Sequence, residues 1–275
     1  MPELPEVETV CRGLQQTILG KRIQKVLVRE TRLRVPVNSK RLEKLLPDEE
    51  ILNVSRRSKY IIVHLSGQQK ILVHLGMSGQ LTVQQHNEDF KKHDHIIISI
   101  SDGLQLCYHD PRRFGLFEVL TENEFKIYPR LLTLGLEPLD KKTTAKVTWP
   151  QVKKSKKPIK NLLMDANFIV GVGNIYANEA LYFAQIHPQK MANELTARQW
   201  EILLQQVQLV LRNAIQLGGT TLNDFVNSTG ESGYFQLELA VYGRENEPCK
   251  ICKEKITRVV QSGRSSFFCP RCQAA

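Results

Sequence analysis

Across positions 5–19 the apolar residues Val7, Val10, Cys11, Leu14 and Ile18 recur at intervals of three and four, and Gly20 follows them. This spacing lays one apolar stripe along a helix, and the glycine supplies a stop. The period then changes. Short runs rich in β-branched and aromatic residues at 23–28, 60–65, 71–75, 95–101, 104–108 and 116–120 predict strands. Ser66-Gly67 and Asp102-Gly103 sit between successive runs, where a hairpin needs a tight turn. Residues 1–130 therefore read as an antiparallel β-sandwich or barrel with a leading helix.

The periodicity fades over 131–159, and from position 128 to 160 nine basic residues stand against two acids. That stretch reads as a linker passing into a solvated positive surface. Helical spacing resumes in 160–243. Thr196 and Gln199 have capping-box spacing, and Trp200, Leu203, Leu204, Val207, Leu211, Ala214 and Ile215 share one stripe closed by Gly218-Gly219. The polar, glycine-rich stretch 218–233 reads as a mobile loop. Residues 244–275 form a small module of their own. The expected class is α+β: a β domain with a leading helix, then a helical domain, then the module.

At 275 residues with 41% apolar content the chain has material for two cores. No uncharged apolar run reaches the roughly 18 residues of a membrane span, and MPELPEVETV carries acids where an export signal carries Lys or Arg. The expectation is a soluble, cytoplasmic protein with no membrane partner. The formal charge of +10 favours a polyanionic partner.

Cysteine spacing sharpens this picture. Cys249-x2-Cys252 and Cys269-x2-Cys272 are separated by sixteen residues, a pattern suited to four thiolates closing on one zinc ion. Four sulfurs leave no position for water, so the metal is expected to be structural. Around it Lys250, Lys253, Lys255, Arg258, Arg264 and Arg271 face the single acid Glu254, which suits phosphate binding. A zinc-stapled protein-interaction module remains the alternative. Cys11 and Cys107 lie in apolar patterns and receive no role.

The N-terminus offers a second chemistry. A small residue after Met favours removal of the initiator, which would leave Pro2 with a free secondary amine. Such an amine has a pKa near 8 against about 10.4 for Lys, so far more of it is nucleophilic at neutral pH. Glu3 stands next to it as a proton donor, and Glu6 is close by. The plainer alternative is a proline and acids opening a helix.

PELPEVETVCRGL resembles the opening of the formamidopyrimidine-DNA glycosylase family, also called 8-oxoguanine DNA glycosylases. The resemblance recurs in RRSKY around Lys59, HLGMSG around Met77, DPRRFG around Arg112, GVGNIYANEAL around Asn174, VYGRE around Tyr242 and the cysteine module. It implies Pro2 as nucleophile, Glu3 as general acid, Glu6 as a supporting carboxylate and Lys59 as a phosphate contact that assists catalysis. Met77, Arg112 and Phe114 are then the residues that fill the helix when the damaged nucleotide is extruded. Without the motif, Met and Phe in strand-rich regions would read as core. The resemblance further implies that His74, Asn174 and Arg264 contact phosphate, that Lys160 aids Asn174 in doing so, that Tyr242 lies in the DNA-binding part, and that 160–243 contains a helix-two-turn-helix. The partner is damaged double-stranded DNA, bound by a monomer. The alternatives are an endonuclease VIII-like glycosylase for oxidised pyrimidines, which PELPE disfavours, and a non-catalytic zinc-dependent DNA-binding protein.

Overall fold

The computed structural model describes residues 2–86, 89–218 and 239–274. Residues 2–86 and 89–132 belong to one compact unit, and 133–216 with 239–274 to another.

In the first unit, helix α1 (Leu4–Ile18) precedes two four-stranded antiparallel sheets. One sheet runs β1 (Ile23–Val28), β6 (Asp94–Ile100), β7 (Leu104–His109), β5 (Gln80–Gln85). The other runs β2 (Ile51–Arg57), β3 (Tyr60–Leu65), β4 (Lys70–His74), β8 (Leu116–Leu120). Alternate residues such as Ile61 and Val63, Ile71 and Val73, and Ile96 and Ile98 share one core with Val7, Val10, Leu14 and Ile18 of α1. Period-two burial from both sheets onto one helix stripe makes this a sandwich with α1 packed into it. The opposite face of β3 and β4 is covered as well, because Ile62, Leu72, Leu116 and Leu120 gather Val35, Phe125 and Leu131. This second cover explains why these runs read as continuously apolar rather than alternating. The Ser66-Gly67 and Asp102-Gly103 turns join β3 to β4 and β6 to β7.

The second unit contains α5 (Ala145–Lys154), α6 (Ile159–Leu163), α7 (Asn174–Phe183), α8 (Ala197–Gln216) and a hairpin of β9 (Thr257–Gln261) with β10 (Arg264–Phe268). Short helices α2 (Ser39–Leu45), α3 (Glu122–Lys126) and α4 (Pro129–Leu132) complete the set among the described residues, with a 3-10 turn at Ala192–Glu194. The capping box of α8 forms, with Gln199 N donating to Thr196 Oγ1 at 3.1 Å and Thr196 N to Gln199 Oε1 at 2.9 Å.

The stretch 131–159 departs from the linker reading, because α5 lies within it. Thr144 accepts from Val147 N to start the helix, Thr148 and Val152 are buried four residues apart, and Trp200 Nε1 donates to Thr148 Oγ1 at 2.8 Å. A two-residue stripe among lysines is enough to dock a ten-residue helix, yet too narrow to show as a period. The loop expected over 218–233 lies, apart from Gly218, outside the described residues. No helix among the described residues is long and apolar enough to cross a membrane.

Candidate active site and nucleic-acid interface

At the head of α1, Pro2, Glu3 and Glu6 are all buried. Glu3 is the N-cap and Pro5 sits in the first turn, where its missing N–H is not needed. Glu6 Oε2 accepts from Glu3 N at 2.7 Å, which fixes the backbone on which Glu3 and Pro2 stand. A cap that is also buried places two carboxyl groups beside Pro2 instead of leaving them in solvent.

Helix α1 lies along β2 in a definite register. Gln15 Nε2 donates to Val54 O, Cys11 Sγ to Ser55 O at 3.5 Å, and Arg56 Nε to Glu8 Oε2 at 2.9 Å. Toward its N-terminus the helix thus meets the end of β2 at Arg56, three residues before Lys59. Arg56 Nη1 also donates to Ser58 O at 2.9 Å, and Ser58 takes a left-handed φ of 55°. Arg56 thus ties the helix that carries Pro2 to the turn that carries Lys59. Arg56 and Arg12 both donate to Glu8 and hold its carboxyl below the usual range against the opposing effect of burial. Sequence reasoning missed Arg56, although the RRSKY motif contains it.

His74 ends β4 with its ring against Tyr60 at 4.9 Å, and its Nδ1 accepts from Gly76 N at 3.0 Å. Burial first, then the charge of Lys59, pushes its pKa down to about 4. It is therefore a neutral imidazole at neutral pH, able to offer a phosphate an Nε2–H but no charge.

Beyond His74 two turns project Met77 and Phe114, which are 41% and 46% exposed. The guanidinium of exposed Arg112 lies 4.9 Å from the centre of the Phe114 ring. Large apolar side chains outside a well-filled core are available to something other than the core. They are not core residues. Gly76 explains how the turns meet: its φ is 62°, and a Cβ there would lie 2.5 Å from the Phe114 carbonyl carbon and 2.6 Å from Gly115 N. Only glycine permits that approach.

In the second unit the four cysteine Sγ atoms lie within 4.8 Å of one another. Cys249 and Cys272 sulfurs are 3.9 Å apart and those of Cys252 and Cys269 3.4 Å, well beyond a disulfide's roughly 2.05 Å and in the range set by bonds of about 2.3 Å to one central ion. The donor set fits one structural zinc, which supplies the fold of the finger and no open coordination position. Arg264 opens β10 beside the Ser262-Gly263 turn, exposed and without a side-chain partner among the described residues. Lys250, Lys253, Lys255, Arg258 and Arg271 are exposed as well.

Three residues expected at DNA are placed differently from a simple surface contact. Lys160 is only 1% exposed, and its Nζ donates to Ser265 O at 2.8 Å and Ser266 Oγ at 2.7 Å. Its charge is spent inside the unit, holding β10. Lys160 is therefore an internal anchor of β10, and it shares the Ser265 carbonyl with Asn174, the residue it is expected to aid. Asn174 opens α7 after Gly173, and Nδ2 donates to Ser265 O at 3.0 Å. The helix end itself carries the partial positive charge that suits an anion. Tyr242 packs its ring against Phe267 at 5.1 Å and is half-buried. Its N–H and those of Ala240 and Val241 all donate to the buried Glu179 carboxyl at 2.7 to 2.9 Å, an anchor that sequence reasoning also missed.

A buried proline beside two buried carboxyls, two exposed apolar side chains with an arginine and a basic four-cysteine finger define a class: a zinc-finger enzyme acting on nucleic acid. Family models match in chain order. The formamidopyrimidine-DNA glycosylase N-terminal domain matches residues 1–117, the H2TH domain of the same enzymes 134–226, and the zinc finger found in FPG and IleRS 246–275. A formamidopyrimidine-DNA glycosylase of Legionella pneumophila is 43% identical over 273 residues, spanning 99% of this chain and 98% of that one. Among solved structures, a Lactococcus lactis FPG mutant in complex with Fapy-dG-containing DNA superposes with a TM-score of 0.92 at 34% identity over 100% of both chains. MutM in complex with carbocyclic 8-oxo-G-containing DNA gives 0.91 at 34% identity, again over 100% of both. The chain belongs to the formamidopyrimidine-DNA glycosylase family.

Proposed function

We propose that this chain is a bifunctional glycosylase and lyase of base-excision repair. It removes oxidised purines, 8-oxoguanine and formamidopyrimidines, from damaged duplex DNA and then cuts the abasic strand by β- and δ-elimination. It acts as a cytoplasmic monomer. The observation that carries this reading is the grouping of Pro2 with Glu3 and Glu6 at a buried helix head in a member of this family that matches 98% of a relative's length.

The Pro2 amine, freed by removal of Met1, attacks C1′ of the extruded nucleotide while the bond from C1′ to the base breaks. Glu3 delivers a proton to the opening sugar or the departing base. Collapse to the iminium makes the C2′ proton acidic, and its loss expels the 3′ phosphate. A second elimination expels the 5′ phosphate. Lys59, between β2 and β3, holds the phosphate beside the lesion. Met77 and Phe114 fill the space left by the extruded nucleotide, and Arg112 hydrogen-bonds the orphaned partner base. Arg264 grips the flanking backbone.

Borohydride added during incubation with a duplex bearing 8-oxoguanine opposite cytosine should trap a covalent adduct on the N-terminal peptide. Tight binding without an adduct would leave a non-catalytic binder, and an adduct on Lys59 would reassign the nucleophile. Glu3→Gln should bind lesion duplex with near-native affinity and lose base release. Full turnover would remove Glu3 from its role.

A further inference from the structure

Ser78, between Met77 and Gly79, is 8% exposed, and Asp110, at the start of DPRRFG, is fully buried. Neither is accounted for by the chemistry above. Ser78 Oγ donates to Asp110 Oδ1 at 2.7 Å and accepts from Arg112 N at 3.1 Å. The second Asp110 oxygen accepts from Gly115 N at 2.9 Å and from Tyr108 OH at 3.3 Å. The Asp110 carbonyl meets His95 Nε2 at 2.8 Å. Burial, and then the charge of Asp110, pushes the Tyr108 phenol well up, so Tyr108 remains a donor.

These bonds join the two turns that project the wedge. Ser78 belongs to the turn of Met77, and the N–H groups of Arg112 and Gly115 bracket the turn of Arg112 and Phe114. Gly76 already brings the turns into backbone contact. We propose that the Ser78–Asp110 pair is a positioning device that presets Met77, Arg112 and Phe114 as one rigid wedge before DNA binds. This inference rests on the wedge reading given under the proposed function.

The physical reason is entropic. A wedge must enter the base stack while the nucleotide leaves it, and ordering two loose turns at that moment would add to the barrier. Ser78 and Asp110 act through the backbone of the wedge residues and touch no reacting atom, so they are positioning residues. They matter where a stack must be opened, and not where the sugar is already accessible.

The test compares two substrates: excision from duplex carrying 8-oxoguanine opposite cytosine, and borohydride trapping on a single-stranded oligonucleotide with a preformed abasic site. Ser78→Ala should slow the duplex reaction at least tenfold and single-strand trapping less than twofold, with Ser78→Thr, which keeps the hydroxyl, recovering most of the loss. Asp110→Asn should show the same selectivity, since an amide nitrogen facing these donors cannot accept from them. Equal loss on both substrates, as from general unfolding, or no loss on either would overturn the proposal. Met77→Ala separates the two layers of argument. If Met77→Ala leaves the duplex reaction unchanged, the wedge reading falls and the positioning role with it. If Met77→Ala is impaired but Ser78→Ala is not, only the positioning role falls.

Discussion

Arg112 and Arg264 are both exposed arginines on tight turns, but the structures beneath them differ in kind. Under Arg112 lies a sandwich whose apolar core draws on a helix and two sheets. The cluster under Arg264 is small, built from Tyr182, Ala240, Val241, Ile256, Phe267 and two of the metal-site cysteines. Buried polar groups are distributed accordingly. In the first unit Glu3, Glu6, Ser58, Ser78 and Asp110 gather at the places where function is expected. In the second, Lys160, Asn178, Gln261 and Ser266 fasten the hairpin, Glu179 holds the N–H groups of 240–242, and Gln273 Nε2 donates to Ile186 O. The second unit also buries a broad apolar set that includes Leu163, Phe168, Trp200 and Leu211, so the contrast lies at the finger, where a small apolar cluster leaves polar side chains to hold the strands.

Removing the metal should break this contrast most strongly. A structural zinc contributes roughly 10–16 kcal/mol to folding in finger-sized modules near neutral pH. A strong chelator, or Cys249→Ser, is expected to unfold the finger and abolish duplex binding in fluorescence anisotropy. The β-sheet circular dichroism and cooperative melting of the first unit should persist. Unaltered binding would show that the finger needs no metal.

Single side chains come next. Leu14 is fully buried in the α1 stripe, so Leu14→Ala should cost about 2–5 kcal/mol in chemical denaturation of the first unit. Glu179→Ala removes the acceptor of three backbone N–H groups, at about 1–3 kcal/mol for each one left buried without a partner. That loss should appear in the second unit alone. Equal destabilisation of both units by either variant would contradict the separation of their cores.

The same contrast governs what the chain discloses before folding. Central strands such as β3 and β6 are buried on most residues and stand out as apolar runs. Strands β2 and β5 were missed, and both are edge strands with polar compositions, ILNVSRR and QLTVQQ. An edge strand can complete a sheet with few buried residues, so its pattern is faint. At the site, residue types disclosed the cysteine cluster and the Pro2-Glu3 pair because their chemistry depends on local spacing. Asp110, Glu179 and the inward turn of Lys160 were not legible. Each acts through hydrogen bonds to residues distant in the chain, 32 positions away for Ser78 and Asp110 and 105 for Lys160 and Ser265.

His74 adds a dependence on pH to the first unit. Its folded pKa of about 4 lies below the 6.5 of an ordinary imidazole, so between these values the unfolded chain binds a proton that the folded chain does not. The contribution of neutral His74 is fully present above pH 6.5 and is lost as pH falls toward 4, with a limiting slope of about 1.4 kcal/mol per pH unit. Urea titrations of His74→Gln should show that part of the slope removed. An unchanged slope would assign the acid sensitivity of this unit to other groups.

The smallest expected effect separates Arg264 from Lys160. An arginine that neutralises one phosphate releases about one counterion, so Arg264→Ala should lower the dependence of log affinity on log salt by about 0.9. Lys160 has its charge directed at the Ser265 carbonyl and the Ser266 hydroxyl. Lys160→Met should therefore weaken binding by loosening the hairpin while leaving the salt slope as it was. A slope lowered by Lys160→Met as much as by Arg264→Ala would mean that Lys160 turns outward to phosphate when DNA binds, and the internal anchor would then belong only to the free protein.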